Sequence, residues 1–267
     1  MASAILLLIF FTDVFPFWRA VRAQRRTTLI PSILWAFAAL IAWIVAVAMQ
    51  VPWPNIHSPL DQYLALGLTG CASIAVLGAR RPGVGAWNFV VLGLFVVMWF
   101  LWFENRLAED DLILYRIRTV FLASTVAIGV LNYLPTRLAP AAMLLGLGCA
   151  WEILRMSKFE LQAVAFAQVH YVSRLAVALV PWSAYFRICW QPLPASEFDQ
   201  VWLRFRDSYG LLWSQRLREQ FNQSAKHSNW PVILRWQGLR VIPGESPPSY
   251  QDRQEMLANL RALMKRF

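Results

Sequence analysis

The chain has 267 residues, 58% of them hydrophobic and only 15% charged, with a formal net charge of +10. Soluble globular chains carry about 45–50% apolar and 25% charged residues, so water is excluded as the main solvent. The charge is shared evenly, with 13 basic and 8 acidic side chains in residues 1–186 and 12 and 7 in the remainder. Basic residues that stand beside apolar stretches fit anionic lipid headgroups better than a nucleic-acid groove, and no nucleic-acid partner is expected.

The first segment, Ala2 to Trp18, is mostly apolar but carries Asp13 in its middle and Pro16 near its end. No basic residue precedes it and no small-residue cleavage pattern follows before the arginines, so it is a poor secretory signal. It is expected to be a retained span, with an interfacial helix as the alternative. From Leu29 to Met49 the chain runs 21 residues without a charge, which as a helix covers roughly 32 Å, the depth of a hydrocarbon core. Pro31 falls in the first turn, where a missing N–H is tolerated.

Further spans are predicted at Leu60–Ala79, Gly85–Phe103, Leu112–Leu134, Leu138–Leu154 and Ala163–Phe186. Six apolar helices in succession leave almost no polar helix to cover them in water. The expected fold class is therefore an all-α membrane protein. Residues 1–190 form a bundle of six or seven transmembrane helices, and residues 191–267 form a small α+β or α-helical cytoplasmic domain. Arg19, Arg22, Arg25 and Arg26, then Arg80 and Arg81, then Arg137 mark alternate connections, while the connection from Val51 to Gln62 carries only Asp61. Less cleanly, the connection from Glu104 to Asp111 mixes four acids with Arg106, and the last outer turn holds Arg155 and Lys158. On balance the positive-inside rule puts the C-terminal region in the cytoplasm of a cell-membrane protein.

Within the spans, small residues recur every fourth position: Ala65, Thr69 and Ser73, and again Ala142, Gly146 and Ala150. Such stripes allow helices to approach closely in lipid and are expected to face inward. Six of the 14 tryptophans, Trp53, Trp87, Trp102, Trp151, Trp182 and Trp190, stand where span ends should meet headgroups.

The C-terminal region reads as helix, hairpin, helix. Ser196 is a helix N-cap with Glu197 and Asp199 in the first turn, followed by Phe198, Val201, Trp202, Phe205, Tyr209, Leu212 and Trp213 at helical spacing. This pattern suits a membrane-surface helix and the core helix of a small domain alike. Val232–Trp236 and Leu239–Ile242 flank a two-residue link at Gln237 and Gly238. Ser249 and Asp252 have capping-box spacing before a final helix with Met256, Leu257, Leu260, Leu263 and Met264 on one side.

Ionisable groups inside spans are the best functional pointers in such a chain, because a centred arginine costs roughly 2.5–3.5 kcal/mol even on the lenient insertion scale. Arg174 and His170 share a helix face in the last predicted span, with Gln168 nearby and Glu160 about four turns before Arg174. The plainest role is an interhelical lock. Alternatives are a polar binding pocket or transport path, catalysis on a lipid-like substrate with His170 as general base, and, weakest, a haem ligand. The Gly78–Gly83 turn with Arg80 and Arg81 is a second, lesser candidate, a grip for a lipid phosphate. Cys71, Cys149 and Cys189 are scattered without a CxxC pair, so no metal site and no cofactor is expected. No catalytic or nucleotide-binding motif is present. The expected role is a non-catalytic subunit or scaffold with the lipid bilayer and a membrane or cytoplasmic protein as partners. A small transporter or lipid-handling enzyme built around His170 and Arg174 is the alternative.

Overall fold

A computed structural model describes residues 2–49, 59–80, 83–107, 116–157, 166–190, 194 and 196–267. The fold is all-α, with one two-stranded hairpin among the described residues, near the C-terminus. Helices α1 (Ala2–Thr12) and α2 (Val14–Gln24) are two halves of one rod, followed by α3 (Ile30–Ala48) and α4 (Pro59–Ala75), which ends in a 3-10 turn at Val76–Gly78. Then come α5 (Val84–Leu107), α6 (Arg116–Tyr133), α7 (Ala139–Met156), and a second rod in two halves, α8 (Phe166–Ala178) and α9 (Val180–Trp190). The C-terminal region supplies α10 (Glu197–His227), strands β1 (Val232–Arg235) and β2 (Gly238–Val241), and α11 (Tyr250–Met264).

Prolines explain both broken rods. Pro16 and Pro181 each lack the N–H that would close the helix onto the carbonyl four residues back, at Thr12 and Val177, and the rods break next to these, at Asp13 and Leu179. In contrast, α3 and α7 each carry a proline in the first turn, where no bond is lost, and both helices run unbroken. The two interrupted rods lie side by side, α1 against α8 and α2 against α9. The Trp182 indole donates to Thr12 Oγ1 at 3.0 Å, and the Phe15 and Trp182 rings stack with centroids 6.1 Å apart.

The C-terminal region caps one end of the bundle. Gln24 at the end of α2 donates to Ser208 Oγ, the Trp213 indole donates to the Val76 carbonyl after α4, and the Tyr133 hydroxyl at the end of α6 donates to the Ser208 carbonyl. The helices α2, α4, α6 and α9 therefore run toward this end, while α3, α5 and α7 run away from it. One buried cluster joins Leu29, Val76 and Ala79 of the bundle turns to Phe198, Trp202, Tyr209, Trp213, Leu217, Met256 and Leu260. The hydrophobic core of the C-terminal region thus includes bundle residues.

Three helices are long and apolar enough to cross a membrane by length and composition: Ser3–Gln24, counted across its break, Ile30–Ala48 and Ala139–Met156. Val84–Phe100 and Arg118–Tyr133 are shorter apolar helices. Among the described residues this is fewer than the six or seven full-length spans expected from the sequence. Helix α4 gives way to a 3-10 turn after 17 residues, and Pro181 divides the last predicted span into halves of 13 and 11 residues.

The hairpin also differs from the expected register. Arg235 pairs with Gly238, so the link is Trp236 and Gln237, not Gln237 and Gly238. Trp236 is pulled out of the ladder because its indole donates to the Pro135 carbonyl at 2.6 Å and its own carbonyl accepts from Trp202 Nε1 and Arg206 Nη1. Asp199 then accepts from the Leu239 N–H at 2.8 Å, tying β2 to the first turn of α10. At α11 the capping box is complete, with Asp252 N–H donating to Ser249 Oγ and Ser249 N–H donating to the Asp252 carboxylate.

Candidate functional site

Two buried features stand inside the bundle, one polar and one apolar. The polar one centres on Glu152, on the inward face of α7 and fully buried. Its Oε1 accepts from Ser173 Oγ at 2.6 Å and lies 3.8 Å from Arg174 Nε, while its Oε2 is 3.2 Å from Arg155 Nη2. Arg174 is 1% exposed, so the Glu152–Arg174 pair is withdrawn from water on both sides. Removing two charges from water is repaid only by close geometry and further hydrogen bonds, and Ser173 and Arg155 supply these to the carboxylate.

The approach of α7 to α8 depends on Gly148, one turn before Glu152. A Cβ at Gly148 would meet the Ser173 carbonyl at 2.7 Å and the Val177 side chain at 2.7 Å. The absent side chain lets the two backbones touch where the carboxylate must reach across. The expected small-residue stripe on α7 is thus displaced: Ala142 is buried, but Ala150 is exposed, and the contact face runs through Gly148, Cys149 and Glu152. On α4 the buried stripe is the expected one, with Ala65, Thr69 and Ser73 all inside and Trp43 Nε1 donating to Thr69 Oγ1 at 3.1 Å.

Of the residues singled out in the last span, only Arg174 has a described side chain. Gln168 and His170 lie on α8 with side chains outside the described residues, and Glu160 lies outside them altogether. The carboxylate that reaches Arg174 is Glu152, which the sequence places inside an apolar span 22 positions earlier and which only the packing of α7 on α8 assigns as partner. In the basic turn, the N–H groups of Ala79 and Arg80 donate to the Val76 and Gly78 carbonyls, and Arg80 stands 6.0 Å from the centre of the Trp213 ring. Those two N–H groups are therefore occupied, and Arg81 is outside the described residues.

The apolar feature is a cavity of about 300 Å3 between the two interrupted rods and α3, α4, α6 and α7, lined by Phe10, Phe17, Ser32, Trp43, Thr69 and Pro181 among others. The Ser32 hydroxyl lines it, is almost fully buried, and has no hydrogen-bond partner among the described residues. A groove of about 330 Å3 between α2 and α9 shares Phe17, Ala20, Val180 and Pro181 with the cavity and carries Arg19 and Tyr185. Arg174 and Glu152 line neither space.

Asp13, at the break between α1 and α2, is fully buried with both carboxyl oxygens unpartnered among the described residues. Phe10 and Phe17, three before and four after it, line the cavity, while Asp13 itself is not among the lining residues. Among the described residues no three His, Cys, Asp or Glu side chains converge to hold a metal ion. Comparisons of the chain with protein families, with curated proteins and with solved structures find no match.

Proposed function

We propose that the chain is a multi-pass integral membrane protein of non-catalytic role, a subunit or scaffold that holds its basic C-terminal region in the cytoplasm. One contrast carries this reading: large apolar side chains cover the outside of the bundle while its strongest ionisable groups are locked inside. Leu8, Phe89, Phe100, Val120, Leu147 and Ile188, on five different rods, are between 61% and 75% exposed. Monomeric soluble proteins rarely expose contiguous apolar patches beyond a few hundred Å2, and hydrocarbon is the solvent that suits such a surface. Glu152, by contrast, is held inside by Arg155, Arg174 and Ser173 together, as in an interhelical lock.

Orientation follows from the capped end. Arg25, Arg26, Arg80 and Arg137 gather where the basic C-terminal region docks, which supports a cytoplasmic assignment for that end. A transporter or lipid-modifying enzyme built on Arg174 draws less support, because that side chain lines neither the cavity nor the groove. Alkaline washing of membranes followed by purification in mild detergent tests the proposal. The chain is expected to stay in the pellet and to bring down a stoichiometric protein partner. Release into the wash would refute membrane integration, and purification as a lone species that turns over a substrate would refute the scaffold role.

A further inference from the structure

We infer that the cavity between the two proline-broken rods is a lipid site that takes one acyl chain of an anionic phospholipid from the tail-side leaflet, with Arg19 holding the headgroup. This rests on the membrane reading above, and four observations converge on it. The space is of ligand-pocket size, about 300 Å3, at the lower end of the usual range of roughly 300–1,000 Å3. Its walls are apolar, from Phe10 and Trp43 to Pro181, as a hydrocarbon chain requires. Second, it is not sealed. The α2–α9 groove shares Phe17, Ala20, Val180 and Pro181 with it, which gives a chain a side entry between the rods.

Third, the entry carries a cation without a counterion. Arg19 lines the groove, is exposed, stands 5.8 Å from the Tyr185 ring centre, and has no carboxylate partner among the described residues. It lies five residues before the end of α2, roughly 7.5 Å from the bundle's capped end at helical rise. That is headgroup depth if this end faces the cytoplasm. Fourth, the cavity contains one orphaned polar group at a similar level. Ser32 is in the first turn of α3, its hydroxyl is buried and unpartnered, and it lines the cavity. A buried hydroxyl without a partner costs free energy, and an ester carbonyl at the head of an acyl chain is the acceptor it lacks.

A net-anionic headgroup follows from Arg19, since its guanidinium pairs the phosphate and no choline ammonium then stands beside that cation to oppose it. The acyl chain follows from the lining, and the ester from Ser32. The source is a bilayer phospholipid because the entry opens sideways between two rods, toward the leaflet, and its second chain would stay in the bilayer.

The test uses the full chain, delipidated in detergent and examined by native mass spectrometry with added palmitoyl-oleoyl phosphatidylglycerol, the phosphatidylcholine of the same chains, or oleate. The wild type is expected to hold one phosphatidylglycerol roughly tenfold more tightly than phosphatidylcholine, the size of one charge-assisted contact. Arg19→Gln should erase that preference, weakening phosphatidylglycerol by about tenfold and phosphatidylcholine by clearly less. Ala36→Phe, which fills the cavity from α3, should weaken both lipids by about tenfold or more. If Ala36→Phe also lowers the melting temperature, Arg19→Gln alone decides. An unchanged preference in Arg19→Gln, undiminished binding in a normally melting Ala36→Phe, or displacement of phosphatidylglycerol by equimolar oleate would each overturn the inference. Each variant is also carried through the alkaline wash. Loss of lipid preference in protein that still pellets sinks only the lipid site, whereas release into the wash sinks the membrane reading itself.

Discussion

The carboxamide of Asn132 sits in the helical break at Gly210, donating from Nδ2 to the Tyr209 carbonyl at 3.3 Å and accepting at Oδ1 from the Leu212 N–H at 3.1 Å. It replaces the backbone groups that α10 loses at the break, and it does so from the last turn of α6. Gly210 has φ +76 and ψ −164, and a Cβ there would run into the Asn132 amide. The pair therefore sets the angle at which the C-terminal region lies on the bundle.

Gly210→Ala is expected to destabilise the protein by about 1–3 kcal/mol, from left-handed backbone strain together with the collision. Asn132→Ala should cost a similar roughly 1–3 kcal/mol, since it strands a buried carbonyl and N–H. Because both changes break one contact, the double variant should lose much less than their sum. Thermal melts in detergent measure this, and limited proteolysis after α9 should show the C-terminal region opening in each variant. A Gly210→Ala protein that melts and resists protease like wild type would refute the role given to the break.

Much of this arrangement is not legible in the sequence. The hydrophobic spacing from Phe198 to Trp213 predicts the first half of α10, and Ser196 and Ser249 mark both helix starts, because these signals are local. The break at Gly210 depends on a residue 78 positions earlier, and no period or cap encodes it. The hairpin slips by one residue for the same reason: Trp236 answers to Pro135, far away in the chain. Pro16 stands out near the end of the first segment, whereas the predicted span Ala163–Phe186 runs unbroken through Pro181, and nothing local says that two breaks meet across one cavity. Arg174 is conspicuous as a charge in an apolar run, and Glu152 is equally so. Their pairing is set by how α7 rotates, which Gly148 permits by exposing bare backbone to α8.

That pairing makes a sharp prediction. Removing one member of a buried ion pair costs about 3–5 kcal/mol where the other is left uncompensated, whereas replacing both with apolar groups is often neutral. Glu152→Leu takes the carboxylate from Arg174, whereas after Arg174→Leu Glu152 keeps Arg155 and Ser173, so the second change should cost less. Glu152→Leu and Arg174→Leu should each reduce the yield of monodisperse protein and lower its melting temperature. The double leucine variant should recover most of the loss. Were Arg174→Leu alone to melt like wild type, the lock would carry no structural weight, and a role for Arg174 toward a ligand would regain ground.

Asp13 should respond in the opposite direction. Its carboxyl is fully buried without a partner among the described residues, and Phe10 and Phe17 on either side of it in the rod line the cavity. Asp13→Leu is therefore expected to raise the melting temperature, by an amount corresponding to about 1–3 kcal/mol. Destabilisation by this change would mean that the carboxyl is satisfied in the intact protein, by bound water or by a ligand in the neighbouring cavity. Repeating the melt after delipidation separates these outcomes, because a ligand's contribution is lost with the lipid and that of water is not.

The three cysteines give a test of packing and sidedness together. Cys71 and Cys149 are fully buried on α4 and α7, while Cys189 is exposed near the end of α9. In detergent, a small maleimide should react once per folded chain, at Cys189, and three times after denaturation. A Cys189→Ser protein carrying Ser246→Cys in the exposed stretch before α11 moves the label to the C-terminal region. With a membrane-impermeant maleimide, intact cells should leave that site unlabelled and inside-out vesicles should label it, as the arginines at the capped end require. Labelling from intact cells would invert the topology, and it would carry Arg19 and the entry to the lipid cavity to the outer leaflet.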